Sequence, residues 1–112
     1  MAESNPRKIE YYVTATGGVP FVKWRDELDL KVRATVAARL SRLELGNEGV
    51  SKALGEGIYE LKIDIGPGYR VYFGKVGHVI VVILAGGTKR HQNKDIQKAK
   101  IYWREWLQNR IS

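Results

Sequence analysis

Residues 57–73 read GIYELKIDIGPGYRVYF, and this stretch decides the fold. Apolar and polar side chains alternate on both sides of Gly66-Pro67-Gly68, with the two-residue period of a strand. Glycine and proline together are typical of a turn. The stretch therefore predicts an antiparallel hairpin with one apolar face. The side chains on that face are Tyr59, Leu61, Ile63, Ile65, Tyr69, Val71 and Phe73.

The register of this hairpin follows from keeping all of its large apolar side chains on one face. A loop formed by Gly66–Gly68 meets that condition, whereas a slip of one residue would turn each apolar set to the wrong side. The resulting pairs are Ile65–Tyr69, Asp64–Arg70 and Lys62–Tyr72. Lys62 and Arg70 then become diagonal neighbours on the opposite face, which we expect to lie away from the core.

Two further strands are predicted on either side of the hairpin in the sequence. Lys8–Thr14 is rich in β-branched and aromatic residues and precedes Gly17-Gly18, which favours a strand ended by a turn. Val79–Ala85 is an uninterrupted apolar run, which is typical of a central strand covered on both faces. We expect this last strand to end at Gly86-Gly87.

Helical spacing of apolar residues predicts the remaining elements. A helix begins at Pro20, and a second apolar stripe ends at a cap on Gly46. Asp29 either interrupts the first helix or marks its bend into the second. An amphipathic helix begins near Asn93. The order β-α-α-β-β-β-α indicates one α+β domain over residues 1–112, with an antiparallel-dominated sheet packed against helices.

Composition excludes several classes of function. The chain of 112 residues contains no cysteine, so disulfides, thiolate zinc sites and cysteine nucleophiles are absent. His78 and His91 lack the spacing of a metal-ligand pair, and we expect neither metal nor cofactor. No apolar run is long enough to cross a membrane and no signal peptide is evident, which predicts a cytoplasmic protein.

A formal net charge of +7 indicates an acidic partner such as nucleic acid. Most of the excess lies in residues 89–112, where we interpret the charges of the last helix mainly as a solvated face. Lys62 and Arg70 on the hairpin, together with residues 89–91 after the last strand, form a more specific cationic set. The alternative is that Lys62 and Arg70 are ordinary strand residues, with Asp64 pairing Arg70.

Such a cationic set suits the cleavage of RNA. A base removes the proton of a 2′-hydroxyl, the oxygen attacks the adjacent phosphorus, cations stabilise the added charge, and an acid protonates the leaving 5′-oxygen. Arginine binds a phosphate in bidentate fashion, and lysine can exchange a proton when neighbouring cations lower its pKa. Tyr72, on the same strand face, is placed to stack on an unpaired base.

Three motifs carry a resemblance to a known family. They are GIYELKI at residues 57–63, GPGYRVYF at residues 66–73, and LAGGTK at residues 84–89 followed by Gln92, Asp95 and Ile96. In these motifs the chain resembles the addiction module killer proteins, a HigB-like branch of the RelE/ParE toxin superfamily. The resemblance extends from about Tyr11 to Leu107.

The resemblance implies a RelE-like fold and a toxin of a type II toxin-antitoxin system that cleaves mRNA on the ribosome. It implies a helix-turn-helix antitoxin (HigA-like) from the same operon as the partner. The resemblance implies Lys62, Arg70 and Lys89 as the residues that bind and cleave RNA, with Arg90 and His91 as neighbours. We therefore predict Lys62, Arg70, Lys89 and His91 as catalytic residues, and Tyr72, Arg90 and Lys94 as RNA-binding residues. Glu60 stands where the best-studied cleaving members have lysine, and Asp95 or Ile96 where they have tyrosine.

Two rival functions belong to other classes. One is non-enzymatic inhibition of DNA gyrase, as in the ParE branch. The other is a basic RNA-binding module or a decayed toxin, for which five phosphate contacts would give a slope of log K against log salt of about −3.5. For the antitoxin, we expect an acidic amphipathic segment over the Lys62/Arg70 face or beside the last helix, near Tyr102 and Trp106.

Overall fold

The computed structural model describes residues 6–49 and 51–111. Its elements, in chain order, are β1 (Lys8–Tyr11), α1 (Pro20–Asp26), α2 (Leu30–Glu44), β2 (Ser51–Gly55), β3 (Ile58–Ile63), β4 (Tyr69–Val76), β5 (Ile80–Thr88), a 3-10 turn (Lys89–His91) and α3 (Gln92–Ile111). The strands form one mixed sheet in the order β1-β5-β4-β3-β2. Only β1 and β5 pair in parallel among the described strands. The predicted α+β class is confirmed.

Strand β2 is the element that the sequence pattern missed. Its residues SKALG contain one large apolar side chain, Leu54, so no alternating pattern marks them. Backbone pairing with β3 holds this edge strand in place, and Lys52 lies opposite Glu60. A five-residue strand at a sheet edge needs little side-chain burial, which explains why periodicity gave no signal.

The register predicted for the central hairpin is wrong by two residues. Lys62 lies directly opposite Arg70, and Ile63 lies opposite Tyr69. The connection therefore spans residues 64–68, whose amide groups bond within the loop, as Gly68 N does to Ile65 O at 2.9 Å. Because the shift is an even number of residues, every side chain keeps its predicted face.

Both faces of the sheet are covered, so the expectation that Arg70 lies away from the core is wrong, whereas Lys62 is exposed as expected. One core lies on the side of α1 and α2 and includes Phe21, Val36 and Leu43. The other lies between the sheet and α3 and includes Trp103. Arg70 sits on this second side and is almost fully buried.

A β-bulge in β5 determines which core each of the last residues of this strand faces. Tyr72 lies opposite Ala85 and Phe73 opposite Ile83, so Leu84 is an extra residue on β5. Leu84 and Ala85 therefore both face the α3 core. The bulge reverses the alternation of the residues that follow.

The strand continues through Gly86-Gly87 to Thr88, so the prediction that the glycine pair ends it is wrong. Each glycine instead accommodates a close neighbour on one face. A Cβ atom on Gly86 would lie 2.2 Å from the Trp24 ring, and one on Gly87 would lie 1.9 Å from the Asp95 carboxylate. Glycine is required here because backbone and side chain approach closely.

Helix α2 begins at a capping residue, which separates it from α1. The Asp29 carboxylate accepts a hydrogen bond from Val32 N at 3.0 Å, as an N-cap does. Among the described residues, no helix is long and apolar enough to span a membrane.

Replacing Asp29 with alanine should lower the free energy of unfolding by about 1 kcal/mol, because an amide of the first turn loses its acceptor. Urea denaturation measures the change. Asp26→Ala is the matched control, since the Asp26 carboxylate contacts only the neighbouring Arg25 among the side chains described. Equal losses in the two variants would contradict the capping role.

Candidate functional site

A groove of about 340 Å³ lies where β2, β3 and β4 meet the 3-10 turn. We call it the lysine groove. Its lining residues are Ser51, Lys52, Glu60, Lys62, Arg70, Lys89 and Gln92. The structure thus brings together Lys62, Arg70 and Lys89, three of the residues predicted for the site. Lys52, Glu60 and Gln92 were missed as site residues.

A buried ion pair forms part of the groove wall. The side chains of Arg70 and Glu60 are only 5% and 6% exposed, and Arg70 Nε lies 3.4 Å from Glu60 Oε1. The amide of Gln92 donates a 2.6 Å hydrogen bond to Glu60 Oε2. Gln92 is the first residue of α3, so this bond joins the helix to the sheet.

The guanidinium of Arg70 keeps hydrogen-bonding capacity. Its Nη1 donates to the carbonyl of Tyr69 at 3.1 Å. Its Nε is buried and has no hydrogen-bond partner within the part of the chain that the structure describes. Although Nε faces the Glu60 carboxylate, a guanidinium beside three lysines is an arrangement that favours an anion with several acceptor oxygens.

Two lysines at the groove differ in how they are held. Lys62 Nζ lies 3.6 Å from the Asp64 carboxylate, and both side chains are exposed, so this contact adds little stability. The expected Asp64–Arg70 pairing is wrong, because Arg70 pairs with Glu60. Lys89 is anchored through its backbone, which donates a 3.0 Å hydrogen bond to Gly68 O in the hairpin loop.

Tyr72 lies in the α3 core and has no exposed surface. The prediction that its ring stacks on an RNA base is therefore wrong for this structure. Burial, followed by the charges of Glu60 and Asp95, raises the pKa of the Tyr72 phenol. Its hydroxyl is buried with no hydrogen-bond partner among the residues described. The phenol remains neutral between two carboxylates.

The other predicted residues lie outside the lysine groove. His91 and Lys94 line a neighbouring groove of about 400 Å³, together with Trp24, Asp95 and Lys98. Arg90 is exposed on the 3-10 turn between Lys89 and His91. The 3-10 turn therefore divides the predicted residues between two grooves, a separation that spacing along the chain did not reveal.

Asp95 occupies a confined position in this second groove. Its carboxylate packs against Gly87, and Oδ2 is buried with no hydrogen-bond partner in residues 6–49 and 51–111. Burial raises the pKa of Asp95, although Lys98, His91 and Lys94 oppose that shift. The native protein therefore binds a proton at Asp95 more readily than the unfolded chain does.

Replacing Asp95 with asparagine should stabilise the protein increasingly as the pH rises above 3.8, the ordinary pKa of this carboxyl. Because the pKa of Asp95 is higher in the native protein than in the unfolded chain, protonation of Asp95 favours folding. This contribution to the free energy of unfolding is fully present at low pH and is lost as the pH rises through the native pKa. Denaturation at several pH values measures the difference between the two proteins. A difference that does not depend on pH would contradict this account, and Asp64→Asn serves as the exposed control.

The described residues contain no group of three or more histidine, cysteine, aspartate or glutamate side chains placed to hold a metal ion. The side chains that line the lysine groove supply ammonium, guanidinium, carboxylate, amide and hydroxyl groups, and His91 supplies an imidazole in the neighbouring groove. Lys52 could have been found only by recognising β2. Glu60 could have been found from its place on the same strand face as Lys62.

No family model matches the chain. It is 44% identical to an uncharacterized protein of Haemophilus influenzae over 86 residues, which cover 76% of this chain and 87% of that protein. This degree of similarity over most of both chains indicates a common fold.

Proposed function

We propose one function for this chain, which belongs to the same family as the uncharacterized Haemophilus influenzae protein. It is a toxin of a type II toxin-antitoxin system, of the RelE/ParE superfamily and its HigB-like branch, with a RelE-like fold. It acts as a metal-independent endoribonuclease on mRNA at the ribosome. The observation that supports this most is the buried Arg70–Glu60 pair in a groove with Lys52, Lys62 and Lys89.

In the proposed reaction, the groove binds the phosphate between two nucleotides. Arg70 and Lys62 contact its oxygens and stabilise the charge that builds up on phosphorus. The Glu60 carboxylate accepts the proton of the 2′-hydroxyl, whose oxygen then forms a bond to phosphorus. The bond to the 5′-oxygen breaks, and Lys89 protonates that oxygen. The products are a 2′,3′-cyclic phosphate and a 5′-hydroxyl end.

This assignment makes Glu60 the general base of the reaction. Glu60 replaces the lysine of the best-studied cleaving members, and a positioned carboxylate is one of the side chains that act as a general base. His91 lines the neighbouring groove, so in this reaction Lys89 is the acid and His91, which the resemblance suggested as a catalytic residue, lies beside the reaction site.

The proposed partner is a helix-turn-helix antitoxin that neutralises the toxin with an acidic amphipathic segment. Charge complementarity supports this, because the chain carries a net charge of +7. The segment covers the lysine groove and prevents RNA from entering. Tyr102 and Trp106 on α3 are half-buried, stacked on Tyr12 and Trp103 respectively, and offer the second predicted contact.

The test is cleavage of a reporter mRNA on translating ribosomes by purified protein. Wild type should cut the message, and Lys62→Ala/Lys89→Ala should cut it at least about a hundredfold more slowly. The control Lys31→Ala/Arg42→Ala removes the same charge from exposed positions on α2. Intact mRNA at high protein excess, or equal activity of both double variants, would reject the proposal. Inhibited DNA supercoiling with intact mRNA would select the gyrase inhibitor instead.

A further inference from the structure

We propose that a second groove, beside the lysine groove, binds the neighbouring nucleotides of the same RNA strand. This inference rests on the proposed function, because it assumes that the lysine groove binds an RNA phosphate. It assigns a ligand to a surface of the molecule formed by α1, the end of β5 and the first turns of α3. We call this surface the Trp24 groove.

The Trp24 groove consists of two adjoining depressions of about 400 and 500 Å³. They share Trp24, Gly86, Asp95 and Lys98, so they form one continuous surface. Depressions of this size are in the range that accommodates small ligands such as nucleotides.

The side chains in this groove provide the three kinds of contact that a nucleotide uses. His91, Lys94 and Lys98 supply donors for phosphate on one side, and Lys23 supplies another beside Trp24. Trp24 and Tyr102 contribute aromatic surface for a base. The carboxylates of Glu27 and Asp95 are acceptors.

The two carboxylates favour a nucleotide over an acidic peptide. Asp95 lines both depressions, and Glu27 lines the larger one. The amino and ring N–H groups of bases are donors, so Glu27 and Asp95 complement a base edge. An acidic peptide offers mainly acceptors and like charge, which these two side chains would repel.

The 3-10 turn connects the two grooves. Lys89, at its start, lines the lysine groove, and His91, at its end, lines the Trp24 groove. Arg90 is exposed between them. From Lys89 to His91 the 3-10 turn rises by two steps, about 4 Å in all, a distance that neighbouring nucleotides of one strand can bridge. The substrate class that fits both grooves is therefore single-stranded RNA longer than a dinucleotide.

The experiment measures binding of uncleavable 2′-O-methyl RNA by fluorescence anisotropy. The long probe has about ten nucleotides, within the range of lengths that single-strand-binding grooves occupy. The short probe is a 5′-phosphorylated dinucleotide. Lys94→Ala/Lys98→Ala is compared with the Lys31→Ala/Arg42→Ala control between about 50 and 200 mM salt.

We expect Lys94→Ala/Lys98→Ala to weaken binding of the long probe at least tenfold and to leave binding of the dinucleotide unchanged. The slope of log K against log salt should become less steep by about 1.4, since two phosphate contacts are lost. Long-probe binding and a salt slope equal to those of the control would overturn the inference. A second result would also overturn the inference: Lys94→Ala/Lys98→Ala loses binding of a polyglutamate peptide but retains binding of RNA. The Trp24 groove would then bind an acidic protein segment.

The outcomes separate this inference from the proposed function. A wild-type protein that binds the long probe through Lys94 and Lys98, yet leaves cleavable mRNA intact on ribosomes, would refute the nuclease and support the Trp24 groove. Cleavage that persists together with unchanged binding by Lys94→Ala/Lys98→Ala would support the nuclease and refute the Trp24 groove. A wild-type protein that binds neither probe would refute both.

Discussion

Replacing Glu60 with glutamine should lower the rate of RNA cleavage by about 10²- to 10⁴-fold, the usual contribution of a positioned general base. Glutamine retains nearly the shape of the side chain and an acceptor for the Gln92 amide, but it cannot take up the proton of the 2′-hydroxyl. Binding of uncleavable RNA should be equal or tighter, because a negative charge has left the groove. A steady-state cleavage assay and an anisotropy titration measure the two effects.

The control for this experiment is Glu44→Gln, at the end of α2 and outside the lysine groove. Because Glu60 balances the buried charge of Arg70, thermal unfolding must also be recorded, and both proteins compared below their melting transitions. A folded Glu60→Gln protein that cleaves RNA at the wild-type rate would exclude Glu60 as the base. Loss of binding and cleavage together would indicate that Glu60 orients Arg70 instead.

Replacing Gly74 with alanine should destabilise the protein by about 3 kcal/mol or more, since overpacking of a rigid core is costly. A Cβ atom at this position would lie 2.4 Å from two carbons of the Trp103 ring. Trp103 has little room to move, because its indole nitrogen donates to Glu56 O at 2.9 Å and its ring stacks on Trp106. The melting temperature should fall by roughly 10–20 °C for a domain of this size.

Gly18→Ala is the control, because a Cβ atom there would meet only the Thr14 hydroxyl at an ordinary 3.4 Å. The double variant Gly74→Ala/Trp103→Leu tests the cause. If the clash with the indole ring is responsible, Gly74→Ala should cost less in the Trp103→Leu background than in wild type. Equal costs in both backgrounds would show that strand propensity, rather than the ring, accounts for the loss.

The sequence was most informative where side-chain periodicity is strong. The hairpin faces, the two helices before it and the last helix were predicted from alternation and helical spacing, because those patterns record burial directly. The same patterns do not predict the register of the hairpin, since both a three-residue and a five-residue loop keep Ile63 and Tyr69 on one face. Periodicity distinguishes faces and does not distinguish registers that differ by two residues.

The predicted site was incomplete for a different reason. The sequence pattern predicts that polar residues on one strand face are exposed. In the structure, Tyr72 is covered by residues of α3 far away in the sequence, and Arg70 is buried beside Glu60 of β3. Lys52 was missed because β2 has no apolar alternation. The burial of these strand residues and the presence of β2 both depend on contacts between distant parts of the chain. A single sequence does not show which helix covers which face of the sheet.

The number of residues in β5 affects both grooves, because the extra residue at Leu84 sets the orientation of the residues that follow it. Deleting it would restore regular alternation and exchange the faces of Ala85, Gly86 and Gly87. Gly87 would then no longer receive Asp95, and Lys89 would leave the hairpin loop that anchors it. An insertion or deletion between Ile83 and Lys89 would therefore rebuild the entrance to both grooves at once, whereas a substitution there changes one side chain at a time.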